Sequence, residues 1–182
     1  MMRWALILLA LSLPAHAAGV EDVMRGLAAV RESRAVFSET RSIPELDGAL
    51  PSRGTLSWRA PDRVEKHTTE PVEERLTVEG DTLTLERRGA RQVLSLDTAP
   101  EVRALVEAIR GTLAGDLPRL STFYDVRFSE TGSEWRLALY PRSVRLASAV
   151  QSIVVTGRGT QIATVETQER GGITRMSIEA RP

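Results

Sequence analysis

The chain has 182 residues, with 24 Lys and Arg against 24 Asp and Glu and no Cys. The even charge gives no electrostatic reason for nucleic acid or an anionic lipid surface as partner. Without cysteine, neither disulfide staples nor thiol chemistry is available, so the fold must be held by its apolar core.

The first segment carries Arg3, an apolar run from Trp4 to Leu13 broken only by Ser12, and then Pro14-Ala15-His16-Ala17. A positive start, a short apolar run and an Ala-x-Ala end are the pattern of a cleavable secretory signal. The run is about half of the roughly 20 residues that a spanning helix needs. Cutting after Ala17 exposes Ala18, so lipidation on a cysteine is not expected. Residues 18–182 are then read as one exported domain of 165 residues with 23 basic and 24 acidic side chains.

From Val20 to Arg31, the residues Val20, Val23, Met24, Leu27 and Val30 fall on one helical face, with Glu21 and Asp22 near the positive end of the helix dipole. The pattern then switches to period two. Gly54, Leu56 and Trp58 alternate with Thr55, Ser57 and Arg59 before a turn at Ala60-Pro61-Asp62. Arg63 to Thr69 is charged and reads only weakly as a strand. Val72, Glu74, Leu76 and Val78 share a face up to the turn at Gly80-Asp81, and Leu83 and Leu85 lead through Arg88-Gly89 to Val93–Leu96. Four to five hairpin-linked strands are expected here.

Thr98-Ala99-Pro100-Glu101 has the form of a capping box, so a helix is expected to start there. Its stripe of Val102, Leu105, Val106, Ile109 and Leu113 can pack on a sheet, and Gly111 or Gly115 can end it. Strand patterns resume over Tyr124–Ser129 and Glu134–Tyr140, where Trp135, Leu137 and Leu139 share a face. A loop from Pro141 to Ala149 separates these from strands at Gln151–Thr156, Gln161–Gln168 and Gly172–Ala180. Two helices cannot cover a flat sheet of this size, which predicts a mainly β protein whose curved antiparallel sheet forms a half-open barrel with a helical plug or lid. The space between helix and sheet would be an apolar cavity suited to an acyl chain.

Four short segments carry a resemblance. They are Val36-Phe37-Ser38-Glu39, Gly54-Thr55-Leu56-Ser57-Trp58-Arg59-Ala60-Pro61, Thr69-Glu70-Pro71, and Leu76-Thr77-Val78-Glu79-Gly80-Asp81-Thr82-Leu83. In order and spacing they resemble the periplasmic outer-membrane lipoprotein carrier family, LolA and its relatives, as a divergent member. The resemblance implies a half-open barrel with a helical lid. It implies a carrier that shields acyl groups of a lipoprotein or other lipid cargo between an inner-membrane lipoprotein-releasing transporter and an outer-membrane receptor. Where the family has an arginine before the turn proline, a latch between barrel and lid, this chain has Ala60, with Arg59 one position earlier as the nearest latch candidate. The chain also ends at Ala180-Arg181-Pro182 without the family's additional Phe-rich strand.

The expected cavity wall comprises Leu56, Trp58, Leu76, Val78, Leu83, Leu85, Trp135 and Leu137 from strands, and Val102, Leu105, Val106 and Ile109 from the helix, although inward apolar residues also serve as ordinary core. No catalytic role is assigned. His67 is the only histidine after the signal, no Gly-x-Ser-x-Gly elbow supports a hydrolase built on it, and it reads as a solvated residue of a charged strand. One histidine and scattered carboxylates provide no metal-ligand spacing, and no cofactor is implied. Arg87, Arg88 and Arg91 form a small basic cluster beside a turn. The reading is therefore a monomeric, non-enzymatic carrier of acylated cargo. The alternative is a regulatory or scaffold module whose sheet binds a protein partner without transporting lipid.

Overall fold

The computed structural model describes residues 19–44 and 48–181, so the expected signal at Met1 to Ala17 lies outside the described residues. Helix α1 (Val20–Ala29) buries Val23, Met24 and Leu27, the face that the periodicity marks. Six strands follow: β1 (Glu32–Ser42), β2 (Ala49–Arg59), β3 (Arg63–Glu70), β4 (Glu74–Glu79), β5 (Thr82–Arg87) and β6 (Ala90–Ser95). A single 3-10 turn at Leu96–Thr98 leads into α2 (Pro100–Leu113) and α3 (Leu117–Phe123). The rest is β7 (Tyr124–Thr131), β8 (Glu134–Pro141), the one-turn α4 (Val144–Ala147), β9 (Val150–Arg158), β10 (Gln161–Glu169) and β11 (Gly172–Ala180).

All eleven strands pair antiparallel in one sheet, in the order β6-β5-β4-β3-β2-β1-β11-β10-β9-β8-β7. The two ends do not pair with each other, so the sheet is open, with β6 and β7 as its edges. Its curvature follows from what α2 reaches. Arg110 donates to the carbonyl of Gly80, in the turn that ends β4, while the Tyr124 hydroxyl at the start of β7 donates to the carbonyl of Ala104 at 2.8 Å. In the sheet order β4 and β7 are eight places apart, roughly 38 Å at about 4.8 Å per strand. On the helix, residues 104 and 110 are only about 9 Å apart. The sheet must curl around α2 for both contacts to form.

The core has two parts. The larger one joins α1, the Ala104 and Ala108 side of α2, Leu120 and Tyr124 to Trp135, Leu137, Leu139, Leu146, Val150, Ile153 and Val155. The smaller one joins Val78, Leu96 and Val106, with Leu76, Leu83 and Val102 packed against them.

Several expectations require correction. The capping box at Thr98 does not form, because the 3-10 turn takes the Thr98 hydroxyl to the Ser95 carbonyl and the N-cap of α2 is Ala99, with Pro100 as first helical residue. Glu101 instead pairs with Arg145 at 3.4 Å. Of the two glycines offered as helix ends, Gly115 lies just past the end of α2, at φ +62 and so close to α1 that a Cβ there would lie 2.0 Å from the Met24 carbonyl oxygen, while Gly111 lies within the helix. The charged segment read weakly as a strand is the full strand β3, between β2 and β4. Val72 precedes β4. Beyond the two helices legible from periodicity, the described residues form α3 and α4, which are too short for hydrophobic periodicity to register, although Asp116 and Ser143 cap them through their side chains.

Candidate functional site

Cross-strand register puts the eight expected wall residues of the strands on one face. Trp58, Val64, Val78, Leu83 and Leu94 stand opposite one another from β2 to β6, and the next rank is Leu56, Lys66, Leu76, Leu85 and Gln92. On the other side Leu137 faces Val155, which faces Val165, then Met176, then Glu39 and Ser52, so Leu137 and Trp135 share that face. This is the concave face, since it holds the core residues that pack against α2.

The expected wall residues differ in depth. Trp58, Val78, Val106, Trp135 and Leu137 are buried core. The indole N–H of Trp58 donates to the Val30 carbonyl at 3.1 Å and that of Trp135 to the Gly159 carbonyl at 2.9 Å, which satisfies the polar atom of each ring. Leu56, Leu76, Leu83, Leu85, Val102 and Leu105 are half-buried, and Ile109 is 50 % exposed. An apolar surface that remains partly open to solvent therefore runs between the buried ranks and the helix.

Sequence reasoning missed the polar side of α2. Glu107 is fully buried and lies 2.5 Å from Nη2 of Arg110 and 2.5 Å from Nε of Arg119, on α3. Burial pushes the Glu107 carboxyl up, but the hydrogen bonds and charges of Arg119 and Arg110 outweigh it and hold the group below the ordinary carboxylate value. Arg110 is itself buried and also donates to the Gly80 carbonyl. Two turns earlier Arg103 donates to Asp81 at 2.9 Å and to Asp97 at 2.6 Å. Arginines of α2 thus fasten the helix to the β4–β5 turn. Arg59, the latch candidate, is exposed at the end of β2, next to inward Trp58 and so on the convex face. Burial likewise pushes the phenol of Tyr124 up, since no charged partner offsets it.

Two open pockets flank this arrangement. One of about 400 Å³ lies among Pro61, Asp62, Arg110, Gly115, Asp116 and Arg119, and one of about 220 Å³ lies beside the β7 edge among Val20, Leu117, Tyr124, Val126, Phe128 and Arg142. None of the expected wall residues lines either. His67 is more enclosed than expected, with 21 % of its side chain exposed, Nε2 3.1 Å from Glu73 and Nδ1 3.3 Å from Arg75. Arg87 and Arg91, from the basic cluster, pair with Glu74 and Glu86. No helix among the described residues is long and apolar enough to cross a membrane.

The fold is similar to a LolA superfamily protein, NE2245, from Nitrosomonas europaea, at 11 % identity over 90 % of this chain and 92 % of that one, with a TM-score of 0.45. It is similar to the lipoprotein LppX of Mycobacterium tuberculosis at 9 % identity over 88 % and 93 %, with a TM-score of 0.45. It is also similar to a chain of the Pseudomonas aeruginosa MucA/MucB complex at 16 % identity over 88 % of this chain and 56 % of that one, with a TM-score of 0.39. No curated protein matches the sequence. The family profile of outer-membrane lipoprotein carrier protein LolA-like proteins matches residues 12–180, nearly the whole chain, and the protein belongs to that family.

Proposed function

We propose that this protein is a periplasmic carrier that shields the acyl chains of a lipoprotein or other lipid cargo on the concave face of its sheet. The observation that carries the reading is the half-buried apolar set Leu56, Leu76 and Leu85 inside the curve, with Leu105 on α2. Burying one acyl chain of about 16 carbons releases on the order of 13 kcal/mol of gross transfer free energy, at roughly 0.8 kcal/mol per methylene. Immobilising the cargo and displacing α2 offset much of it, leaving the intermediate affinity that a carrier needs in order to release what it binds. The inner-membrane transporter and outer-membrane receptor implied by the family are its proposed transfer partners. Purified mature protein tests the reading: co-purifying lipid detected by mass spectrometry and saturable binding of an acyl-chain fluorophore are expected, and a folded protein that binds neither refutes it.

A second reading has its own support. The unpaired edges β6 and β7 offer main-chain hydrogen-bonding groups to an added strand, and Val93 on β6 is 61 % exposed. A stable complex with a protein partner and no lipid transfer between vesicles would favour a scaffold role over carriage.

A further inference from the structure

From β2 to β6, the charged residues on the concave face gather toward one end of it. The rank of Trp58, Val64, Val78, Leu83 and Leu94 is wholly apolar, and α2 covers it through Val102 and Val106. Two ranks away, roughly 13 Å at two residues per rank, Thr68 faces Glu74 and Glu74 faces Arg87. Between these lies Lys66, with Leu56 and Leu76 as its cross-strand neighbours. Lys66 is the only lysine in the chain.

Lys66 donates to both oxygens of Glu39, at 3.0 and 2.8 Å, and its ammonium lies 4.9 Å from the centre of the Phe37 ring. Ser52 donates to Glu39 as well, at 3.1 Å. Both charged side chains are mostly covered, with 29 % of Lys66 and 17 % of Glu39 exposed. A pair in such a place adds little net stability over an apolar pair of similar shape, because desolvation offsets the attraction. Neither group is saturated by the other. An ammonium has three N–H donors, of which Glu39 takes two, and a carboxylate has about four lone-pair sites, of which Lys66 and Ser52 use three. One donor and one acceptor therefore remain side by side without the pair having to break.

Glu39, Lys66, Glu74 and Arg87 contribute two charges of each sign, so the polar end is no sink for a net anion; it complements a group that carries both signs. We infer that this end is a headgroup subsite for a zwitterionic, phosphoethanolamine-type lipid, with the phosphate accepting from Lys66, the ammonium donating to Glu39 and the acyl chains over Leu56, Leu76 and Leu85. The subsite rests on the acyl-carrier reading.

The test measures binding of short-chain phosphatidylethanolamine, phosphatidylglycerol and uncharged diacylglycerol to the mature protein by displacement of an acyl-chain fluorophore. Phosphatidylethanolamine is expected to bind about tenfold more tightly than either of the others, the worth of one charge-assisted hydrogen bond. Lys66→Met is expected to abolish the preference while keeping fluorophore affinity, and Lys66→Arg to retain most of it. Equal affinity for the three lipids, or a preference that survives in Lys66→Met, overturns the subsite alone. Failure of all three lipids and of the fluorophore to bind the folded protein overturns the carrier reading and the subsite with it. Competition by phosphoethanolamine without acyl chains at the same concentrations would show a free-headgroup site and overturn the lipid assignment.

Discussion

The Glu107 carboxylate on α2 sits between two guanidinium groups, 2.5 Å from Nη2 of Arg110 and 2.5 Å from Nε of Arg119, with no solvent exposure of its own. It ties α2 to α3, and Arg110 carries the tie on to the Gly80 carbonyl at the sheet. Replacing one member of a buried pair leaves the other charge uncompensated and costs about 3–5 kcal/mol. Glu107→Gln is therefore expected to lower unfolding stability by that order at pH 7, read from the denaturation midpoint. The pH dependence has a definite sign. The folded Glu107 carboxyl lies below its ordinary value of 4.5, so its stabilisation is complete above that pH and is lost as pH falls through the folded value. The stability difference between wild type and Glu107→Gln should shrink on acidification below about 4.5. A constant difference down to pH 3 would contradict this.

Arg110 and Arg103 fix α2 to the β4–β5 turn from the helix side, at Gly80 and Asp81. If these contacts hold the helix over the apolar rank, removing them frees it without disturbing the strands. Arg103→Ala touches an exposed aspartate pair and is expected to cost no more than about 1 kcal/mol, yet to speed amide exchange along the first turns of α2. Exchange unchanged in α2 would show that packing on Val78 and Leu96 alone holds the helix.

What the sequence made legible, and what it did not, divides along the kind of partner a residue needs. Alternating apolar residues and turn glycines are local signals, and from them the strands from β7 to β11 and the turns at Gly80-Asp81 and Arg88-Gly89 are read near their observed positions. The stripe of α2 is legible by the same logic. Its buried polar side is not, because beyond their pairing with each other Glu107 and Arg110 find their partners 12 and 30 residues away, and charged side chains in a helix otherwise read as solvent-facing. Strand β3 reads only weakly in the sequence for the same reason. Arg63 pairs with Glu79 at 2.7 Å and Lys66 with Glu39 at 2.8 Å, which makes a charged segment suitable for the interior of a sheet.

Gly54 explains part of the family pattern in physical terms. It sits at the irregularity between β2 and β3, and a Cβ there would lie 1.9 Å from the His67 carbonyl oxygen and 2.9 Å from the Thr68 Cα. Backbone cannot retreat as a side chain tip can, so Gly54→Ala should cost at least about 1–3 kcal/mol through overpacking, with poor soluble yield as the extreme. A variant as stable as wild type would mean that the bulge at Arg53-Gly54 relaxes more readily than its register implies.

Stability and cargo binding separate most cleanly at Leu85. It is inward on β5, opposite Leu76 on one side and Gln92 on the other, half-buried, and outside both packed clusters. Leu105 is likewise half-buried but packs against the larger core. Leu85→Glu should therefore leave the unfolding midpoint within the range of an ordinary surface change, about 0.5 kcal/mol, whereas Leu105→Glu should destabilise measurably as well. Both place a carboxylate where an acyl chain is proposed to lie, and an ion without a partner there has a large desolvation cost. Acyl-fluorophore affinity is expected to fall at least tenfold in each. Unaltered affinity in Leu85→Glu with a preserved fold would move the cargo off the β4–β6 side of the concave face and toward the larger core beneath β8 and β9.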